Sequence, residues 1–190
     1  MKKRLITAGV DEVGRGCLAG PVVSAAVILK EGINLNLLKD SKKISFKKRI
    51  EIAKHIKLNS IYSIGSASVE EILNLNILQA TLLSMKRSID KLTVKPEMVL
   101  IDGNFAPKGL ANFRTIIKGD EKIKSISAAS ILAKVYRDHL MIKLSEKFNN
   151  YAWERNFGYG TKDHMSGLEK FGITSHHRKG FKPIHKMLFR

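Results

Sequence analysis

Short apolar runs separated by glycine-rich turns fill the first third of the chain, and helical periodicity takes over further along. Leu5 to Val10 and Val22 to Leu29 are runs of strand length, with Gly14, Gly16, Gly20 and Pro21 punctuating the turn between them. Ser60 to Ser66 predicts a third strand, Met98 to Ile101 a fourth and Phe113 to Ile117 a fifth. Ser68-Val69-Glu70-Glu71 has the form of a capping box, with Ser68 as N-cap and Glu71 three residues on. It introduces a long helix whose apolar stripe includes Val69, Ile72, Leu73, Leu78, Leu82, Met85 and Ile89. A short helix is expected to open at Lys47-Lys48-Arg49, a second long one to run from Ser127 to Phe148, and a helix-sized piece to span Thr161 to Lys170. Strands first and helices later predict an α/β fold, a mixed central sheet flanked by helices over residues 1–145. A C-terminal helical region, 146–190, is expected to pack on it.

Charge adds a partner to this picture. Lys and Arg number 34 against 17 Asp and Glu, a formal net charge of +17. Such an excess points to a polyanion, because each phosphate neutralised releases counterions and strengthens binding. A merely basic, solubilising surface accounts for the charge equally well. Cys17 is alone, which excludes an intrachain disulfide and a cysteine-based zinc site. The basic start at Met1-Lys2-Lys3-Arg4 is followed by an apolar run that stops at Asp11, too short for an export signal. No stretch approaches the ~20 apolar residues of a membrane helix. A cytoplasmic, monomeric protein without a membrane partner is expected.

Chemistry enters through the acids. The predicted strands end at Asp11-Glu12, at Asp102 and, past Lys118-Gly119, at Asp120. If those strand ends adjoin, four carboxylates meet in one cluster, which repels itself unless cations neutralise it. Hard oxygen donors of this kind suit Mg²⁺ or Mn²⁺. The plainer alternative is that the acids cap turns, as Asp102-Gly103 taken alone would. Asp11 and Glu12 also pose a geometric problem, since neighbours on a regular strand face opposite ways. Asp138 is a rival for the fourth acid, with Lys134 or Arg137 as its alternative partner. His176-His177 adjacency is poor for chelation, and His164, His177 and Arg178 are expected to hydrogen-bond within the C-terminal region or meet phosphate.

Ordered blocks along the chain resemble ribonuclease HII, the type 2 ribonuclease H of bacterial type. They are Asp11-Glu12-Val13-Gly14-Arg15-Gly16, Asp40-Ser41-Lys42-Lys43, Ile101-Asp102-Gly103-Asn104, Lys118-Gly119-Asp120, the run from Ser127 to Val135, Gly158-Tyr159-Gly160-Thr161 with His164, and His177-Arg178. The resemblance implies the ribonuclease H-like fold and cleavage of the RNA strand of RNA–DNA hybrids. It also implies cutting 5′ of ribonucleotides embedded in duplex DNA, leaving 3′-hydroxyl and 5′-phosphate ends. Asp11, Glu12, Asp102 and Asp120 become the catalytic, metal-holding acids. Gly14, Arg15, Gly16, Lys42, Lys43, Asn104, Ser127, Tyr159, His164 and Arg178 become substrate contacts. Among them Gly14-Arg15-Gly16 would read the ribose 2′-hydroxyl and Tyr159 would pack on the junction sugar. Cys17, Gly160 and Gly180 depart from the residues usual in that family.

Competing readings are a non-catalytic basic RNA-binding protein, a junction resolvase, and ribonuclease HIII, whose extra N-terminal domain Asp11 lies too near Met1 to accommodate. Met187-Leu188-Phe189 would either make a weak contact with a replication clamp or fold back on the core, and the second is expected.

Overall fold

The computed structural model describes residues 5–30 and 45–188. Lys42 and Lys43, with the rest of their basic segment, and Phe189 lie outside the described residues. Thr7–Val13 (β1), Val22–Leu29 (β2) and Ser60–Ala67 (β3) form an antiparallel ladder. Met98–Asp102 (β4) and Phe113–Ile116 (β5) add to it in parallel, giving the mixed order β3-β2-β1-β4-β5.

β2 is apolar at nearly every position because both of its faces are covered. Val23, Ala25 and Val27 pack under Phe46–Leu58 (α1) and Lys124–Ser145 (α4), in one core with Ile52, Ile56, Ala128, Ile131 and Leu132. Ala26 and Ile28 face Val69–Asp90 (α2) and meet Met85 and Ile89 there, with Val10 and Ile101 from the neighbouring strands. The approach of α4 is close. A Cβ at Gly9 would overlap the Ser125–Ile126 backbone, so only glycine lets α4 lie on β1 at that point.

Two expectations of helix extent change. The predicted stripe from Val69 to Ile89 is interrupted at Asn76, whose φ of 67° is left-handed. Its side-chain oxygen accepts from Leu78 N and Gln79 N at 3.0 and 3.1 Å, so Asn76 caps a second helical segment. Leu73, in the segment before Asn76, is 50% exposed and does not share the buried stripe. The second long helix starts at Lys124 and ends at Ser145, displaced toward the N-terminus relative to the expected Ser127 to Phe148.

Gly119–Lys122 (α3) precedes α4, and the C-terminal segments include Trp153–Asn156 (α5), Lys162–Phe171 (α6) and Lys182–Leu188 (α7). Tyr151, Trp153, Leu168 and Ile184 form a core with Met141 of α4 and with Leu18 and Ala19 of the β1–β2 turn. Met187 packs against this core and Leu188 is exposed. No helix among the described residues is long and apolar enough to cross a membrane.

Candidate active site

β1 does not stop at Val10. It stays paired through Asp11↔Ala25 and Glu12↔Ser24, so both acids lie within the strand. Alternation therefore separates them. Asp11 shares the α4 face with Gly9 and hydrogen-bonds the Ser130 side chain, whereas Glu12 lies opposite Ser24, whose hydroxyl meets Ser84 of α2. Asp102 ends β4 beside them and its Oδ1 accepts the Gly119 amide at 2.6 Å. Asp120 is not at a strand end: it is the second residue of α3, buried, and follows a left-handed Lys118.

Electrostatics ties three of the acids together. Burial raises the Asp11 carboxyl well above the usual carboxylate range, and the charges of Glu12 and Asp102 push it further, against the Ser130 hydrogen bond. Glu12 is also raised by burial and by Asp102, offset by Arg15, whose Nη1 lies 3.2 Å from Glu12 Oε1. Among the described residues no three His, Cys, Asp or Glu side chains already converge as a metal cage. The fold gathers Asp11, Glu12 and Asp102 at the same end of β1 and β4 without closing them around a point.

Gly14-Arg15-Gly16 follows directly and is held from inside. Gly14 has φ of 91°, and a Cβ there would overlap the Arg137 side chain, so glycine is required twice over. Arg178 donates from Nη2 to Gly14 O (2.7 Å), from Nη1 to Arg15 O (2.9 Å) and from Nε to Gly20 O (2.9 Å). Arg137 donates to Pro21 O, Phe157 O and Ala19 O at 2.8–2.9 Å. Arg178, expected as a substrate contact, is 1% exposed, and its donors are taken up by loop carbonyls. Burial lowers its pKa to about 10, and Arg137 pushes the same way, so the guanidinium stays charged at neutral pH. The carbonyls of Gly14 and Arg15 thus face inward, and what the segment exposes is Gly16 and the Arg15 side chain.

Two further expected contacts lie inside, and His164 meets the other expectation for it, hydrogen bonding within the C-terminal region. Ser127 is buried in the first turns of α4, against the sheet. His164 is fully buried, its Nε2 3.1 Å from both Trp153 Nε1 and His177 Nε2, and its Nδ1 2.9 Å from Tyr159 O. Asn104 and Tyr159 are exposed, Tyr159 at 42%. The Tyr159 hydroxyl meets Cys17, and burial followed by that contact raises the phenol pKa. Asp138 is wholly buried, taking Lys134 Nζ at 2.7 Å and Arg49 Nη1 at 3.7 Å.

Arg137 is not among the residues that the sequence motifs place at the site. A signal for it exists, because Arg137 sits at four-residue steps between Ala133 and Met141, on the apolar stripe of α4.

A pH effect follows from the buried rings. Burial, then the His164 and His176 rings, lower the His177 pKa to about 4 from an ordinary 6.5. The unfolded chain takes up this proton first, so stability is full above pH 6.5 and declines as pH falls toward 4. Asp11 and Glu12, shifted upward, act in the opposite sense and obscure the raw profile. The measurement is the difference in melting temperature between parent and His177→Gln across roughly pH 4–7. The parent's advantage should shrink as pH falls; a constant difference would contradict the shift.

A family profile for ribonuclease HII matches residues 8–190. The chain belongs to the ribonuclease HII family. A ribonuclease HII from Pelagibacter ubique is 58% identical over 96% of this chain and 99% of its own length. The one from Neisseria meningitidis is 48% identical over 97% and 96%. Among solved structures, ribonuclease H2 from Pyrococcus horikoshii is 25% identical and superimposes with a TM-score of 0.82, covering 95% of this chain and 96% of that one. The ribonuclease HII of an Archaeoglobus fulgidus PCNA complex is 27% identical with a TM-score of 0.73, covering 94% and 96%. A Bst ribonuclease HIII solved in complex with Mn²⁺ shares the fold at 18% identity and a TM-score of 0.72, covering 97% and 70%. The five-stranded mixed sheet is thus the ribonuclease H-like fold, and membership of ribonuclease HII makes the chain a ribonuclease H, an endonucleolytic hydrolase of RNA.

Proposed function

We propose that this enzyme cuts the RNA strand of RNA–DNA hybrids and cuts 5′ of single ribonucleotides in duplex DNA, leaving 3′-hydroxyl and 5′-phosphate ends. In the cell it would remove misincorporated ribonucleotides and RNA primers, acting as a monomer. The observation that carries the reading is the gathering of Asp11, Glu12 and Asp102 at one end of the paired strands β1 and β4, beside Gly14-Arg15-Gly16.

Mg²⁺ or Mn²⁺ fits this donor set. All donors are carboxylate oxygens, and a buried carboxyl raised by like charges is stabilised in its ionised form by a cation. Asp11, Glu12, Asp102 and Asp120 would hold the ions, which when bound neutralise the phosphodiester and activate water. The protein's own contribution is positional. The Gly119 amide and Ser130 orient Asp102 and Asp11, and the buried arginines hold the glycine loop. Arg15, Gly16, Asn104 and Tyr159 present the exposed surface that would meet the nucleic acid. A weak replication-clamp contact through residues 187–189 is a further part of the reading, prompted by the Archaeoglobus fulgidus complex with PCNA.

Selectivity and affinity should separate by mutation. Tyr159→Ala removes a ring and no charge, so it should depress cleavage at a single embedded ribonucleotide more than salt-dependent binding to plain duplex DNA. Lys42→Ala or Lys43→Ala should lower binding broadly and reduce its salt slope by about one unit for each phosphate left without its lysine. Single-ribonucleotide cleavage and duplex binding across several salt concentrations measure both. Identical profiles for the tyrosine and lysine variants would refute the assignment of Tyr159 as a reader.

A further inference from the structure

We propose that His164 and His177 are positioning residues: two neutral imidazoles in fixed tautomers that set the main chain at Tyr159, the reading of Tyr159 as the junction contact being the premise. The tautomers follow from donors whose protons are not in question. The Thr174 amide donates to His177 Nδ1 at 2.9 Å, so that nitrogen is bare and the ring's proton is on Nε2. His177 Nε2 lies 3.1 Å from His164 Nε2, and only one proton fits between them. It is His177's, so His164 Nε2 is an acceptor. The indole of Trp153 agrees, since its Nε1–H can only donate and it points at the same His164 Nε2 at 3.1 Å. The His164 proton must then be on Nδ1, and that nitrogen is 2.9 Å from the Tyr159 carbonyl, which can only accept. His164 Nε2 thus takes both donors, Trp153 and His177, on its one lone pair as a bifurcated acceptor, and each is at 3.1 Å.

The end of this relay is a strained loop. Phe157 and Gly158, just before Tyr159, have φ of 50° and 86°, a pair of left-handed residues that the surroundings must hold in place. Arg137 holds the Phe157 carbonyl, Leu18 N donates to Gly158 O at 2.8 Å, and Thr161 N donates to Tyr159 O at 2.8 Å. His164 adds the hydrogen bond that reaches Tyr159 O from the buried core. Both histidines are fully buried and packed against Tyr151 and Trp153, so solvent does not compete for their nitrogens. The Tyr159 ring, by contrast, is half-exposed, and its aim depends on the main chain that carries it.

A histidine that merely fills the core and one that positions Tyr159 respond differently to two amides. In His164→Asn the amide nitrogen replaces Nδ1–H and keeps the bond to Tyr159 O, but the acceptor for Trp153 and His177 is gone. In His164→Gln the amide oxygen replaces the Nε2 acceptor and the donor to Tyr159 O is lost. The readout is kcat/KM on a duplex with one embedded ribonucleotide divided by kcat/KM on a long hybrid, at equal folded fraction. His164→Gln should lower that ratio about tenfold, the worth of one buried hydrogen bond, while His164→Asn keeps it and melts at a lower temperature. A ratio unchanged in His164→Gln but lowered in Tyr159→Ala overturns the positioning role alone. A ratio unchanged in both overturns the junction reading and this inference with it. Nitrogen-15 NMR of the imidazoles in the intact enzyme at neutral pH tests the tautomers without reference to Tyr159. Protons on His164 Nδ1 and His177 Nε2 are expected, and the opposite placement, or a charged ring, rejects the relay.

Discussion

Asp11→Asn should reduce turnover on the order of a thousandfold or more at saturating Mg²⁺, about 4 kcal/mol of barrier, and Asp102→Asn should do the same. Asparagine has the shape of aspartate and can still accept the Glu12 amide that Asp11 Oδ1 takes at 2.7 Å, so local structure is retained. What Asp11→Asn removes is a charge that burial and the neighbouring Glu12 and Asp102 make costly. The stability of Asp11→Asn should therefore hold or rise while its activity falls, a combination that a misfolded variant cannot produce. Asp120→Asn should lose more activity than Asp138→Asn. Asp138 is closed off by Lys134 and Arg49, and its loss should appear as a lower melting temperature. Near-parent turnover in either Asp11→Asn or Asp102→Asn would sink the assignment of the acids, and a more severe loss from Asp138→Asn would exchange its role with Asp120.

Arg178→Met is expected to destabilise the protein by about 3–5 kcal/mol, a fall in melting temperature on the order of 10 °C for a chain of this size. Methionine fills much of the volume but donates nothing to the carbonyls of Gly14, Arg15 and Gly20. Each buried carbonyl left without a partner costs about 1–3 kcal/mol, reduced where water reaches it. Activity should fall even at temperatures where the variant is folded, because the segment released follows the acids directly. Arg178→Lys restores the charge but cannot reach three divergent carbonyls with one ammonium, so it should sit between parent and methionine. Thermal melts with hybrid cleavage assayed well below the midpoint give both quantities. A melting temperature within about 2 °C of the parent would show that the guanidinium is not what holds the loop.

Sequence alone determined the strands, the capped start of α2 and the class of chemistry. These features are local: a continuous apolar run in β2, Ser68 and Glu71 three residues apart, and Asp-Glu placed at the close of an apolar run. The ordered motifs also singled out four acids as candidates, but not the secondary structure around them. Asp120 reads as a strand end because an apolar run precedes it, yet a left-handed Lys118 turns the chain into α3 first. Asn76 breaks a helix that its neighbours' periodicity favours, since its own side chain caps the next segment as well as any helical hydrogen bond would.

The largest difference concerns polar groups that change sides. Arg178, His164 and Ser127 carry chemistry that belongs at a nucleic-acid surface, and tertiary structure places all three inside. A guanidinium is buried only where carbonyls await it, and those of Arg178 come from residues 158–164 positions earlier in the chain. No local pattern encodes a partner at that separation. The apolar period of a helix can show that Arg137 points inward, but only the folded chain, through the β1–β2 turn and Phe157, supplies the oxygens that offset the cost of burying it.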